Sequence, residues 1–284
     1  MFAFAKKLVS TIELQSSSND KYFQNARDEE FGLRVLAVKP DSIASNKKFE
    51  SWFDYILGIN NYEISIFYER ASNDTIKIDL NRFTQFLSDL ILNNQDLRFI
   101  TWNAKGGIRR VVTISYKEFL PKEGELEDVN LDKPSLPTTT TSANPSDNVL
   151  VNNLFKKIGL SIQLTPLITS TFVWHVLSVH QNSPAYQAGL LPQSDYIVGA
   201  QDGLLATGGE DLLSRVVSSL HLRNGSNSTI ILYVYNHDFD VIRPVTLKPN
   251  TLWGGKGMLG CDVGYGLLHR LPEVIGKYGS SEIL

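Results

Sequence analysis

The spacing of apolar positions predicts strands and one long helix in the first half of the chain. Residues 33–38 alternate between apolar and polar side chains, and residues 52–60 form a mostly apolar run that ends in a turn, so both are predicted strands. Residues 80–92 carry apolar side chains at helical spacing and predict an amphipathic helix. Residues 97–103 and 109–116 form a predicted strand pair around a lysine and two glycines.

The second half of the chain predicts the same series of elements again. Strand character returns at residues 158–162, and a helix is predicted where apolar side chains recur at helical spacing. The predicted helix is 209–220, and the predicted strands around it are 172–179, 195–199, 229–235 and 241–247. This mixture predicts an α+β fold that is mostly β.

One unit of sequence occurs twice. Residues 34–58 align with residues 175–199 without a gap, and a length of 284 residues also fits about two domains. A duplicated domain with no recognisable set of catalytic residues indicates a binding function rather than catalysis. The matched residues are Asp54, Tyr55, Ile56 and Gly58 with Asp195, Tyr196, Ile197 and Gly199, then Asn103 with Asn236, and Arg110, Val112 and Thr113 with Arg243, Val245 and Thr246.

Two segments fall outside the repeated pattern. Residues 120–149 are rich in acidic residues, proline and threonine and poor in large apolar side chains, so we expect a disordered insertion there. Residues 2–14 can form an amphipathic helix that either lies on a membrane surface or packs on the first domain. Its candidate membrane-facing residues are Phe2, Phe4, Leu8, Val9 and Ile12.

Composition excludes several classes of function. The net charge of −3 offers no global basic field for nucleic acid. Cys261 is the single cysteine, so neither a disulfide nor a cysteine-based zinc cluster can form within one chain. There is no apolar run of membrane-spanning length and no segment resembling a secretory signal, so we expect a cytosolic protein.

A short motif in the second copy resembles the central signature of PDZ domains. Ser183 and Pro184 start a predicted short helix that Gly189 ends, and a strand begins at Asp195. PDZ domains bind an extended peptide as an added strand, and a glycine-containing loop presents backbone N–H groups to its terminal carboxylate. In this chain the candidate loops, at 158–162 and 259–263, come last in each copy. The resemblance is therefore to circularly permuted PDZ domains.

Two such units in tandem resemble the Golgi reassembly and stacking proteins, the GRASP family, and especially its fungal members. The resemblance is carried by Trp253, Gly254, Gly255 and Gly257 and by the motif from Gly260 to Pro272, and it covers 172–272 more fully than 31–166. It implies two tandem circularly permuted PDZ domains, each a small β-barrel or sandwich capped by helices. The expected boundaries are 1–30 for the N-terminal helix and linker, 31–167 and 168–272 for the two domains, and 273–284 for a tail.

The resemblance also implies a function. Family members are peripheral proteins on the cytosolic face of cis-Golgi membranes and ER exit sites, with a cytoplasmic pool. They bind the C-terminal tail of a coiled-coil golgin through PDZ grooves and the cleft between domains. They tether membranes by oligomerising, and they support transport with COPII coat components and unconventional secretion.

Two departures from the animal members change these expectations. Phe2 stands where animal members carry the glycine that is myristoylated, so the N-terminal helix would have to make the membrane contact. The positions that match the family's zinc ligands are Leu33 and Leu164, which cannot bind zinc. The five histidines, His175, His180, His221, His237 and His269, show no metal-ligand spacing either. We therefore expect no metal site and no cofactor.

Three candidate sites follow from the resemblance. The first peptide groove is expected between Ile158, Gly159, Leu160, Ser161 and Ile162 and the helix face of Phe83, Phe86, Leu87 and Leu90. The alternative is that all four helix residues are core, and for a helix of this pattern we expect two of them to be. The second is expected between Leu259, Gly260, Cys261, Asp262 and Val263 and the helix face of Leu213, Val216 and Val217. A self-association segment is expected at Leu267, Leu268, His269 and Arg270, with packing of the two leucines on their own domain as the alternative.

Two other functions stay open beside a membrane tether. The chain could be the regulatory PDZ module of a protease, although its sequence contains no nucleophile–base pair, and we expect a non-enzymatic protein. It could also be a soluble peptide-binding adaptor without a membrane role.

Overall fold

The computed structural model of the protein describes residues 30–70, 75–119, 154–279 and 283. The predicted membrane helix, with Phe2, Phe4, Leu8, Val9 and Ile12, lies outside the described residues, and so does the insertion predicted at 120–149. The chain divides into two compact units. Of the described residues, the N-terminal unit contains those of Gly32–Trp102 and Arg110–Leu164, and the C-terminal unit combines residues 30–31 and Asn103–Arg109 with those from Thr165 onward.

The N-terminal unit is built on one main sheet with the strand order β7-β6-β2-β1-β8, in which β3 also pairs with β2. A separate hairpin joins β4 to β5. The strands are β1 (Phe31–Val38), β2 (Asp54–Ile59), β3 (Tyr62–Glu63), β4 (Tyr68–Arg70), β5 (Ile76–Ile78), β6 (Leu97–Asn103), β7 (Ile108–Ile114) and β8 (Leu160–Pro166). The helices are α1 (Ile43–Asn46), α2 (Leu80–Leu92) and α3 (Tyr116–Phe119), and residues 154–158 are also helical.

The C-terminal unit repeats this arrangement with the strand order β12-β11-β10-β9-β13. Its strands are β9 (Trp174–Val179), β10 (Asp195–Ala200), β11 (Ile230–Asn236), β12 (Val241–Leu247) and β13 (Cys261–Tyr265). Its helices are α4 (Pro184–Gln187) and α5 (Leu212–Asn224). In both units the last strand pairs with the first, so the predicted α+β, circularly permuted PDZ fold is confirmed.

Helix α2 covers the predicted range, and local chemistry explains both its start and its packing. The Asp79 side chain accepts a hydrogen bond from the Arg82 N–H at 3.1 Å and so caps the first turn. The apolar face then packs into a core that also contains Phe155 and Leu160.

Two predicted boundaries are corrected. Helix α5 begins at Leu212 rather than at 209, because Gly209 has a φ of 112°, which is not helical, and Asp211 occupies the N-cap. Ile158 is the last residue of a helical turn and lies fully buried in the core, so β8 begins only at Leu160.

A buried ion pair repeats in the two units. Arg110 Nη2 lies 2.6 Å from Asp54 Oδ2, and both side chains are at most 1% exposed. Arg243 makes the same pair with Asp195, but its side chain is 30% exposed. The duplicated sequence positions therefore mark duplicated polar contacts inside the two units.

The two pairs should differ in their contribution to stability. Replacement of Arg110 by alanine leaves the buried Asp54 carboxylate without its cation, and we expect a loss of about 3–5 kcal/mol in the free energy of unfolding of the N-terminal unit. The Arg243→Ala variant should lose less, because the Arg243 side chain is 30% exposed and its ion pair with Asp195 is partly solvated. Native-state hydrogen exchange of peptides from β2 and β10 measures each unit separately. Equal losses in the two variants would contradict this account.

Candidate peptide-binding edges

Strands β8 and β13 each stand at the end of a sheet. Among the described strands, β8 is hydrogen-bonded to β1 and β13 to β9, so each has one open edge. The open edge of a strand carries backbone N–H and C=O groups that an added peptide strand can pair with. These two edges are therefore the candidate binding sites, as the permuted order predicts.

The residue before each edge strand is a glycine in equivalent surroundings. The Gly159 carbonyl accepts a hydrogen bond from the Lys39 N–H at 2.8 Å, and the Gly260 carbonyl accepts one from the His180 N–H at 2.9 Å. Their φ angles are 92° and 68°. A Cβ at Gly159 would lie 2.3 Å from Ser42 Cβ, and one at Gly260 would lie 2.2 Å from Ser183 Cβ. No side chain fits at either position.

Ser42 and Ser183, the residues that lie against these two glycines, also cap the short helices α1 and α4. Ser42 Oγ accepts a hydrogen bond from the Ser45 N–H, and Ser183 Oγ accepts one from the Tyr186 N–H. The start of each edge strand is thus packed directly on the N-terminus of α1 or α4.

Most of the predicted helix wall of the first groove belongs to the core. Phe83, Leu87 and Leu90 are 2%, 2% and 6% exposed, which leaves little of their surface for a ligand. Phe86 is only partly buried, and its ring lies 5.1 Å from the rings of both Tyr62 and Phe67. Of the four predicted wall residues, Phe86 is the one that a peptide can contact.

The strand side of the first groove is more accessible. Ser161 is exposed and Ile162 is partly buried, whereas Leu160 packs in the core. The Gly159 N–H donates to the Phe155 carbonyl at 2.9 Å and so caps the preceding helical turn. This amide is therefore engaged, and a peptide carboxylate at this loop would have to use other donors.

An open cavity of about 640 Å³ lies beside this loop. It is bounded by the end of β1, the helical residues 154–158 and the start of β8, and none of its lining residues comes from α2. Lys39 and Lys156 are exposed residues of this lining and make it basic. Neither lysine was predicted as a site residue, although Lys39 directly follows the first predicted strand.

The second groove has different neighbours. Leu213 and Val217 of α5 are buried and Val216 is partly buried. On the opposite side, Leu259, which precedes β13, and the strand residues Cys261 and Val263 are partly buried, and Asp262 is exposed. The indole of Trp253 donates to the Gly257 carbonyl at 2.9 Å, and its ring would be 2.9 Å from a Cβ at Gly260. The Trp253 ring therefore covers the glycine that begins this edge.

The predicted self-association segment forms a single turn, Leu267–His269. Leu268 is 82% exposed, so it does not pack back on its own domain, while Leu267 and Arg270 are partly buried. The ring of His269 lies over Gly264, where a Cβ would be 2.4 Å from it.

Two further properties of the described residues bear on function. None of their helices is long and apolar enough to cross a membrane. Within the described ranges there is also no group of three or more His, Cys, Asp or Glu side chains placed to hold a metal ion.

Two permuted PDZ units in one chain, each ending in an edge strand, define a tandem PDZ-like protein. A family model described as the GRASP55/65 PDZ-like domain matches residues 138–274. The chain is 34% identical over 311 residues to GRASP65 homolog protein 1 of Saccharomyces cerevisiae, across 96% of this chain and 76% of that protein. The chain belongs to the GRASP family.

Two other relatives match smaller parts of their own length. An uncharacterized protein of Schizosaccharomyces pombe is 33% identical over 248 residues, across 86% of this chain and 54% of that protein. Golgi reassembly-stacking protein 1 of Mus musculus is 46% identical over 103 residues, across 36% of this chain and 21% of that protein. The chain thus spans about half of the fission-yeast relative and about a fifth of the mouse relative.

The thiol of Cys261, at the start of β13, should react slowly with alkylating reagents. Burial, with a smaller contribution from the negative charge of Asp262, raises the pKa of Cys261 to about 11. We expect iodoacetamide to modify the folded chain roughly 100-fold more slowly than the urea-unfolded chain at pH 8, because the thiolate is the reactive form. The folded rate should rise as the pH approaches 11. Equal rates for folded and unfolded chains at pH 8 would contradict the burial of this thiol.

Proposed function

We propose that this chain is a non-enzymatic scaffold of the early secretory pathway that captures the C-terminal tail of a coiled-coil golgin by strand addition to β8. The observation that carries the proposal is the open edge of β8 beside a basic cavity. Family membership supports a role at the Golgi, since the mouse relative is named a Golgi reassembly-stacking protein.

The chemistry of the first edge suits an extended peptide with a free carboxylate. Backbone groups on the open edge of β8 pair with the peptide backbone, and Ser161 and Ile162 offer one polar and one apolar contact. Lys39 and Lys156 supply positive charge near the strand start, which favours an acidic or carboxylate end. The proposed ligand is therefore a C-terminal peptide rather than nucleic acid.

The remaining parts of the proposal concern the membrane and assembly. The protein would reach the cytosolic face of cis-Golgi membranes and ER exit sites through its N-terminal helix and act there with COPII coat components and in unconventional secretion. Self-association would use Leu267–Arg270, in which Leu268 is exposed.

The peptide site is tested by binding of golgin C-terminal peptides to variants of each helix. We expect Phe86→Asp to weaken binding by at least about tenfold, equivalent to ~1.4 kcal/mol, because a negative charge replaces the partly buried ring that the peptide is proposed to contact. Val216→Asp should leave the affinity unchanged. Fluorescence anisotropy with labelled peptides measures both, and amidated peptides test the contribution of the carboxylate.

A matched control keeps this test interpretable. Leu92→Asp changes the same helix at a position that is 77% exposed and should not alter binding. Loss of binding in Val216→Asp alone would show that the peptide binds at β13 instead of β8. Unchanged binding in both Phe86→Asp and Val216→Asp would refute peptide capture by either groove.

The membrane role is tested by liposome flotation. We expect the full chain to float with vesicles that contain anionic lipid, and Phe4→Asp combined with Leu8→Asp to abolish flotation, because charges on the apolar face oppose insertion. Binding of golgin peptides should be unaffected. Equal flotation of the two proteins would favour a soluble adaptor.

A further inference from the structure

Two histidine rings meet in the C-terminal unit with their Nδ1 atoms facing each other. His175 lies on β9 and His269 lies in the turn after β13, and the two Nδ1 atoms are 3.4 Å apart. Spacing along the chain does not reveal this pair, because 94 residues separate the two histidines. We propose that His175 and His269 form a two-ligand site for a divalent cation of the Zn²⁺ type.

The separation of the two nitrogen atoms fits shared coordination. Imidazole nitrogen binds zinc at about 2.0–2.1 Å, so two ligands of one tetrahedral ion lie about 3.3–3.4 Å apart. A direct hydrogen bond between the rings would be long, because donors and acceptors usually approach to about 2.7–3.2 Å. The observed distance therefore suits a cation between the rings better than a proton.

The hydrogen bonds of His175 select the required tautomer. Its Nε2 lies 2.8 Å from the Gln193 carbonyl oxygen, which can only accept, so Nε2 carries the proton. In the neutral ring this leaves a lone pair on Nδ1, on the side that faces His269. A histidine ligand whose second nitrogen donates to a backbone carbonyl is the usual arrangement at metal sites.

Both rings are held in place before any ion binds. The His175 ring stacks on Tyr196 with centroids 4.3 Å apart and planes within 7°. The His269 ring sits over Gly264, where any Cβ would lie 2.4 Å from the ring, so a glycine is needed beneath it.

The two histidines would fill two of the four coordination positions of a tetrahedral ion. The other two positions would be open to water or to ligand atoms of a partner molecule. Both histidines are partly exposed, so solvent can reach the ion. A bound ion would join the Leu267–His269 turn to β9, and the turn would then be held on its own domain.

The test is zinc titration of the full chain without an affinity tag, by isothermal calorimetry. We expect one Zn²⁺ per chain, and an affinity at least about tenfold lower in His175→Gln and in His269→Gln, since even loss of a supporting partner costs that much. His180→Gln is the matched control, because His180 is 57% exposed and lies close to Asp262. It should bind zinc like the parent chain.

A second measurement uses the parent chain alone, so it does not require the variants to fold. In the parent chain, zinc should shift the Nδ1 NMR resonances of His175 and His269 and leave the other three of the five histidines unchanged. A chelator should reverse the shift. No zinc binding by the parent chain, unchanged affinity in both ligand variants, or shifts centred on His180 would each overturn the site.

Discussion

In each unit a buried aspartate paired with an arginine fixes the turns on which the two candidate binding edges depend. Asp54 and Asp195 begin β2 and β10, and each also accepts a hydrogen bond from a backbone N–H at 2.8 Å. Arg110 additionally donates to the Lys48 carbonyl at 2.9 Å, and Arg243 to the Gly189 carbonyl at 3.0 Å. A buried carboxylate destabilises the fold unless it is paired and hydrogen-bonded, so the burial of each aspartate depends on this whole set of contacts.

The same contacts determine where the edge strands begin. Lys48 and Gly189 have φ angles of 57° and 73°, and they lie just after α1 and α4. Fixing these turns fixes the short helices, and the capping serines at the other end of the helices touch the glycines that begin β8 and β13. A contact network at the far side of each sheet thereby positions its open edge.

The sequence predicted the fold well because the fold rests on local pattern and on duplication. The apolar face of α2 and the aligned Asp, Asn and Arg positions are periodic or repeated features that a single sequence displays. The residues of the candidate site were predicted less well. Helical spacing finds apolar residues but does not show which of them face a groove. Two of the four wall residues were expected in the core without being singled out, and Phe83, Leu87 and Leu90 are the buried ones. Lys39 and Lys156 are far apart in the sequence and line the same cavity only in the folded chain.

The two units share a framework but present different edges. The glycine before β8 ends a helical turn and adjoins a basic cavity, whereas the glycine before β13 is covered by the Trp253 ring and followed by a thiol of raised pKa. A peptide carboxylate would gain from the lysines at the first edge, while at the second it would approach the exposed Asp262 and be repelled. Duplication therefore preserved the scaffold while the chemistry beside each edge diverged, which favours different ligands for the two units.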